Sequence, residues 1–236
     1  MKTALITGGS RGIGQAMVRL FISRGYRVMF TFNLSEESAL RLADETGALP
    51  FRADVRDEQD VAALKDAALS QLGHPDALIL NAGIAWTGLM TDMPPDAWDD
   101  LYMTNVRGAF LVLKSFLPSM RARGGAVLLM SSMWGKRGAS CEAAYSASKA
   151  ALIGLAQALA REEGPGGIRV NALCPGVIRT DMMDGYTSAE LLALEQATPL
   201  CRLGTPEDVA RAAYFLCGED AAFITGQALS VDGGYL

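Results

Sequence analysis

Short, nearly continuous apolar runs alternate along this chain with longer stretches whose apolar positions recur every three to four residues. The runs at 3–7, 27–32, 49–53, 77–80, 126–131, 169–173 and 228–231 predict strands. The stretches 13–24, 36–45, 58–71, 97–121, 145–163 and 206–217 predict helices. The strands read apolar at successive positions rather than in alternation, as strands covered on both faces do. Regular strand–helix alternation therefore predicts an α/β fold: a doubly wound parallel sheet of about seven strands with helices on both faces. Residues 181–199 break the rhythm, following the sixth strand with Met182, Met183, Tyr186, Leu191 and Leu192. An insertion at the carboxyl edge of such a sheet lies where ligands bind and is expected to act as a lid, with a surface helical hairpin as the alternative.

Composition supports one domain spanning 1–236. Hydrophobic residues make up 50% of the 236 positions and charged residues 20%, a balance that folds rather than stays disordered. The longest apolar stretch, 150–160, is shorter than the roughly 20 residues of a membrane span, and Gln157 interrupts it. Met1-Lys2 runs directly into the first strand, so no cleavable signal and a cytoplasmic location are expected. Cys141, Cys174, Cys201 and Cys217 form neither a CxxC nor a Cys/His cluster, which predicts reduced thiols and no metal. His74, the one histidine, precedes Pro75 in a loop and leaves no histidine-based triad. A net charge of -5 speaks against nucleic acid as a partner.

The first strand runs into Thr7-Gly8-Gly9-Ser10-Arg11-Gly12-Ile13-Gly14 and then a helix. Glycines there let the backbone approach a pyrophosphate while the helix aims its N-terminus at the phosphates, a Rossmann-like dinucleotide site. The spacing is G-x-x-x-G-x-G, and a tight strand-to-helix corner of any kind can use glycine. An acid ending the second strand would select NAD. Asn33 stands there instead, followed by Ser35, and Arg11 and Ser10 lie in the turn. With no carboxylate to oppose a 2′-phosphate, NADP(H) is expected over NAD(H).

Tyr145 and Lys149 are four apart on one predicted helix and so share a face. A free phenol, with a pKa near 10, is too weak an acid at neutral pH. A nearby ammonium and an oxidised nicotinamide are expected to pull that value down. Ser132, at the end of the fifth strand, can hold a substrate oxygen beside the phenol.

Thr7–Gly14, Asn81-Ala82-Gly83, Asn105-Val106-Arg107-Gly108, Ser132, Tyr145-x-x-x-Lys149, Pro175-Gly176 and Val231-Asp232-Gly233-Gly234 occur in this order and span nearly the whole chain. In combination they resemble the short-chain dehydrogenase/reductase family, and most closely its 3-oxoacyl-[acyl-carrier-protein] reductase group. The resemblance implies that Tyr145 protonates a carbonyl oxygen, Lys149 binds the nicotinamide ribose and tunes Tyr145, Ser132 orients the carbonyl, and Asn105 holds a relay water. It further implies that Asp54 and Val55 meet the adenine and that Asn81, Ala82 and Gly83 support the cofactor. Pro175, Gly176, Val177, Ile178 and Thr180 would frame the carboxamide. Trp134, Cys141, Met182 and Tyr186 are candidates for the substrate side, with Trp134 equally readable as a core residue.

The implied reaction is NADPH-dependent reduction of a 3-oxoacyl thioester carried by acyl carrier protein or coenzyme A. Arg121 and Arg123, with Lys136 and Arg137, suit carrier docking, although the loop Glu162-Glu163-Gly164-Pro165-Gly166-Gly167 is acidic. Alternatives are another small ketone, sugar or polycyclic carbonyl, or a dinucleotide-binding regulator without turnover. The helix from Tyr145 carries no charge between Lys149 and Arg161, so its outer face is expected to meet another subunit, and the resemblance implies a homotetramer.

Overall fold

Alternate residues of each strand pack on opposite faces of one sheet, and that division sets the layers. In the computed structural model the strands are β1 (Thr3–Thr7), β2 (Arg27–Phe32), β3 (Leu49–Arg52), β4 (Ala77–Leu80), β5 (Gly125–Met130), β6 (Ile168–Pro175) and β7 (Ala228–Val231). All pair in parallel, in the order β3-β2-β1-β4-β5-β6-β7. The helices are α1 (Gly12–Ser23), α2 (Glu36–Thr46), α3 (Glu58–Gln71), α4 (Pro95–Tyr102), α5 (Gly108–Met120), α6 (Met133–Lys136), α7 (Ala143–Glu163), α8 (Ser188–Ala197) and α9 (Pro206–Cys217). Residues 1–183 and 185–236 are described; Asp184 and the side chain of Met182 lie outside them, and with Met182 one expected substrate contact.

Ala4, Ile6, Val28 and Phe30 face Met17 and Phe21 of α1, Leu42 of α2 and Val209 of α9. Leu5, Met29, Leu78 and Val127 face Leu64 of α3, Phe116 of α5 and Leu152 of α7. The doubly wound, Rossmann-like sheet expected from the apolar pattern is thus present, with helices on both sides. The strand order reverses between β1 and β4, and a ligand crevice opens at the carboxyl ends of strands at such a point.

Two segments differ from the pattern. The continuous helix expected over 97–121 is broken by a wide, π-type turn at Met103–Arg107 between α4 and α5. Such turns insert into helices where a side chain is needed for function, and this one carries Asn105 inward. Residues 181–199 hold a short turn at Asp181–Met183 and then α8, started by a reciprocal cap between Thr187 and Glu190. Among the described residues α8 buries no side chain fully; Leu191 and Leu194 are half-buried, and Arg179–Glu195 at 3.1 Å ties it to the segment after β6.

Arg121 is not at the site entrance of its own protomer. It ends α5, which leads into the start of β5, and therefore lies at the amino edge of the sheet. Its guanidinium holds Glu163 with Nε at 2.8 Å and Nη2 at 2.6 Å, and Glu163 is only 1% exposed. The hydrogen bond from Arg121 keeps that carboxyl below its ordinary range. Loss of one partner of a buried pair strands the other charge, whereas replacing both with apolar groups does not. Arg121→Ala is expected to lower the urea-unfolding midpoint by stranding the buried Glu163 carboxylate, and adding Glu163→Leu should restore most of the loss. A double variant no more stable than the single one would mean that burial of Glu163 costs little.

Candidate active site

The glycine turn is held from both sides. From β2, Thr31 accepts the amide of Gly8 on Oγ1 at 3.1 Å and that of Gly9 on its carbonyl at 2.9 Å. From the other side, Asn81 Nδ2 donates to the carbonyls of Gly8 at 2.8 Å and Thr7 at 3.2 Å. Thr7 Oγ1 in turn accepts the amides of Asn81 and Ala82, at 3.0 and 3.1 Å. Asn81 and Ala82 therefore fix the turn itself. Gly12 sits at φ +53°, a backbone that side chains rarely adopt, and a Cβ on Gly14 would collide with the carbonyl oxygen of Gly8. The first turn of α1 contains no acid, so its free amides and dipole are open to a phosphate. Ser10 is buried, Arg11 is exposed at the N-cap of α1, and Ile13 is half-buried behind them. Thr180, arriving from β6, comes up to this turn: a Cβ on Gly12 would lie 3.4 Å from its methyl.

Asn33 is exposed just past β2. Its side chain and, more strongly, Arg56 hold the Asp54 carboxyl below its ordinary range. Arg56 grips Asp54 with Nε at 2.9 Å and Nη2 at 2.7 Å and reaches Asp100 at 3.0 Å. The spacing of motifs gave no sign of Arg56. Its pairing means that the carboxylate expected to meet adenine is already neutralised by a neighbour. Val55 is buried against Gly108, where a Cβ would approach it to 2.7 Å.

Lys149 and Tyr145 do share the inner face of α7. Ser131 Oγ donates to the carbonyl of Lys149 at 2.7 Å, and Gly135 of α6 packs on the same backbone, so α7 is pinned to the end of β5. Lys149 is only 5% exposed, and its Nζ donates to the carbonyl of Met130 at 2.9 Å. Burial without a carboxylate partner lowers its pKa to about 8. The half-buried Tyr145 shifts the other way, up to about 12, chiefly through burial, with a hydrogen bond from Ser132 opposing and the charge of Glu142 adding. Lys149 by itself therefore does not bring the phenol towards neutrality; the expectation above joined it to an oxidised nicotinamide. Lys149 lies over the ring, 5.6 Å from its centroid, and directs a proton to Met130.

Asn105 is 1% exposed and makes a paired contact with one residue: it accepts the amide of Ile84 at 2.8 Å and donates to its carbonyl at 2.9 Å. It also donates to Ser148 Oγ at 3.0 Å, and Ser148 donates to the carbonyl of Tyr145 at 2.8 Å. Ser148 was not anticipated; its place beside Lys149 was the available signal. A side chain at Gly83 would stand 3.1 Å from Asn105 Oδ1 and 3.2 Å from Lys149 Nζ, so the bare backbone there leaves both groups open to a ligand.

Ser132 caps α6, accepting the amide of Trp134 at 3.2 Å. Trp134 packs edge-on against Tyr235 at 6.0 Å between centroids, forming a wall with the chain's last residues rather than joining the core. Cys141 is exposed at φ +62°, and its carbonyl accepts the amide of Gly88 at 2.8 Å, which ties its loop to the one after β4. Tyr186 is exposed on 181–199. After β6, the amide of Gly176 donates to Val231 at 3.0 Å, and Ile178 packs on Gly204, closing Pro175, Gly176 and Val177 against β7. No metal-binding cluster occurs among the described residues. The open glycine turn, the acid-free helix start and the bare Gly83 beside a buried ammonium together fit a dinucleotide with its nicotinamide next to Tyr145.

A family model described as enoyl-(acyl carrier protein) reductase matches residues 8–236. The uncharacterised oxidoreductase YmfI of Bacillus subtilis is 38% identical over 99% of this chain and 98% of its own length. The 3-oxoacyl-[acyl-carrier-protein] reductase FabG of Chlamydia muridarum is also 38% identical, over 99% of this chain and 96% of its own. A blue fluorescent protein from a metagenomic library, solved in complex with NADPH, superposes with a TM-score of 0.92 at 36% identity, covering 99% of this chain and 97% of that one. With its parallel sheet, its glycine turn and these relatives, the chain belongs to the short-chain dehydrogenase/reductase family of oxidoreductases.

Proposed function

We propose that this enzyme uses NADPH to reduce a 3-oxoacyl thioester to the 3-hydroxyacyl thioester. The observation that carries the reading is Tyr145 and Lys149 on one face of α7, with the ammonium over the phenol ring, beside an apolar entrance. Tyr145 is shifted to about 12, and Ile84, Leu89 and Met90 on the loop after β4 are exposed at the same edge as Tyr186 and Leu192 of 181–199. Apolar side chains left in solvent around a site suit an acyl chain. The FabG and NADPH-bound relatives support the same substrate class and cofactor. We assign 181–199 as the lid of the single domain 1–236.

Bound NADPH supplies a hydride to the carbonyl carbon. Gly8, Ser10, Arg11, Gly12, Ile13 and Gly14 would hold its phosphates, Asn33 and Arg11 its 2′-phosphate, and Asp54 and Val55 its adenine. Lys149 would hold the nicotinamide ribose, with Asn81, Ala82 and Gly83 beneath the ring and Pro175 to Thr180 around the carboxamide. Ser132 and Tyr145 grip the substrate oxygen, and Tyr145 releases its proton as negative charge develops there. The phenolate is reprotonated through Lys149, whose pKa of about 8 lets it exchange protons near neutral pH, with Asn105 ordering the relay water. Further subunits would cover the exposed small residues of α7, Ala147, Ala150, Ala151 and Gly154, and the exposed Phe110 of α5; a cytoplasmic homotetramer fits that surface. The engagement of Arg121 with Glu163 favours, as a second reading, a carbonyl substrate that needs no carrier protein.

The test is the initial rate of NADPH oxidation with acetoacetyl groups on acyl carrier protein and on coenzyme A, with NADH in parallel. Turnover on neither thioester, with NADPH still bound, would rule the thioester reading out. Tyr145→Phe should lower that rate by about 10²–10⁴-fold, with NADPH affinity by fluorescence within a few-fold of wild type; near-normal activity would refute Tyr145 as proton donor. Asn33→Asp should shift the kcat/KM preference towards NADH by about tenfold, since a carboxylate repels the 2′-phosphate.

A pH-dependent stability effect follows from Lys149. Its folded pKa, about 8, lies below the unfolded value of 10.5. The folded state therefore bears the full cost of the charge below pH 8, and the cost fades as pH rises towards 10.5. Lys149→Met should accordingly stabilise the cofactor-free protein at pH 7 by on the order of 2 kcal/mol while abolishing turnover. The gain in Tm should shrink by pH 10; a gain independent of pH would point to packing rather than charge.

A further inference from the structure

Glu142 is a charged residue in this site that neither the cofactor nor the proton relay uses. It occupies the N-cap of α7, with Tyr145 at the third position of the first turn. Side chains three positions apart at the start of a helix are neighbours on its surface. An acid at an N-cap ordinarily accepts an amide of the first turn, yet the Glu142 side chain makes no such bond. Its backbone is fixed instead: its carbonyl accepts the amide of Ser146 at 2.8 Å, and its amide donates to Ala139 at 3.3 Å. The preceding residue is fastened across the entrance to Gly88. The side chain is half-buried, with no salt bridge among the described residues. Burial alone raises its pKa, with no cation opposing, and its charge reaches the Tyr145 phenol.

We propose that Glu142 is a specificity-determining residue: its uncompensated carboxylate, beside the phenol that receives the substrate oxygen, turns away 3-oxo acids bearing a free carboxylate and selects carbonyl substrates whose acyl end is esterified. The proposal rests on the reductase reading above and narrows its substrate class. In a 3-oxo acid the carboxylate is two carbons from the reacting carbonyl, so it must enter the same small volume as the carbonyl oxygen. Two like charges held within one small site at an effective dielectric of about 20 repel enough to lower binding by roughly tenfold or more. An ester or thioester at that position carries no charge and meets no such barrier. Glu142 makes no ion pair among the described residues, and the rim formed by Ile84, Leu89 and Met90 is apolar.

The experiment compares kcat/KM for acetoacetate and for ethyl acetoacetate in wild type, Glu142→Gln and Glu142→Asp, with thermal unfolding to confirm that each variant is folded. Wild type should strongly favour the ester. Glu142→Gln should narrow the ester-to-acid ratio by about tenfold, and Glu142→Asp, which keeps the charge, should retain most of the discrimination. A ratio that moves less than about threefold in folded Glu142→Gln while the ester is still reduced overturns the proposal and leaves the reductase reading intact. So does an equal narrowing in Glu142→Asp, because shape rather than charge would then be responsible. Failure of wild type to reduce either compound, or any acetoacetyl thioester, removes the reductase reading and the selectivity proposal together.

Discussion

An ammonium buried without a carboxylate is among the more costly groups a fold can carry, and the carboxyl edge of this sheet is organised around one. Lys149 sits at the inner face of α7 with the carbonyl of Met130 as its hydrogen-bond acceptor. It stays there because the rest of α7 is anchored by Leu152, Ala156 and Leu159 in the core under the sheet, so the helix cannot rotate the lysine out to water. Ser131 and Gly135 hold the same turn of helix from β5 and α6. The charge is thus held in place by apolar packing elsewhere, and its lowered pKa is the result of that constraint.

The neighbouring groups follow from the same constraint. A wide turn interrupts the helix between α4 and α5 so that Asn105 can reach Ile84 and Ser148 while standing beside Lys149. A side chain at Gly83 would press on both groups. The phenol of Tyr145, raised by burial, remains loaded with its proton, and the amine, lowered by burial, exchanges protons readily. On the proposed reading, environments that push these two titratable groups in opposite directions separate donor from relay. A positive charge on a bound nicotinamide would act against the raised phenol pKa, whereas the reduced, neutral ring leaves it protonated, which suits the direction of reduction.

Much of this was legible in the chain, for identifiable reasons. The parallel sheet follows from strands such as Ala4-Leu5-Ile6, apolar at successive positions because both faces are covered. The glycine turn and the Tyr145/Lys149 spacing were visible because backbone approach and a shared helix face constrain which residues can stand where. The break at Met103–Arg107 was not visible: 97–121 stays helical on both sides of it, and one wide turn adds a single residue to the register, too small a shift to read from apolar spacing. The pairing of Arg121 with Glu163 was hidden for another reason. The partners are 42 residues apart, and only tertiary structure brings the acidic loop to the basic one. Arg56 and Ser148 belong to the same class of contacts, set by topology rather than spacing.

The distribution of charge over the two edges of the sheet bears on what approaches the site. At the amino edge the cation of Arg121 is matched by Glu163. At the carboxyl edge, Arg56 is matched by Asp54 and Asp100, and Arg179 by Glu195. Lys149 and Glu142, on α7 and at its cap, have no ion pair among the described residues, and neither do Lys136 and Arg137 at the end of α6. On the proposed reading, a substrate entering past Glu142 towards Lys149 meets a carboxylate before an ammonium. Such a gradient favours a neutral molecule that gains negative charge only at its carbonyl oxygen, at the inner end of its path, where Ser132 and Tyr145 can stabilise that charge.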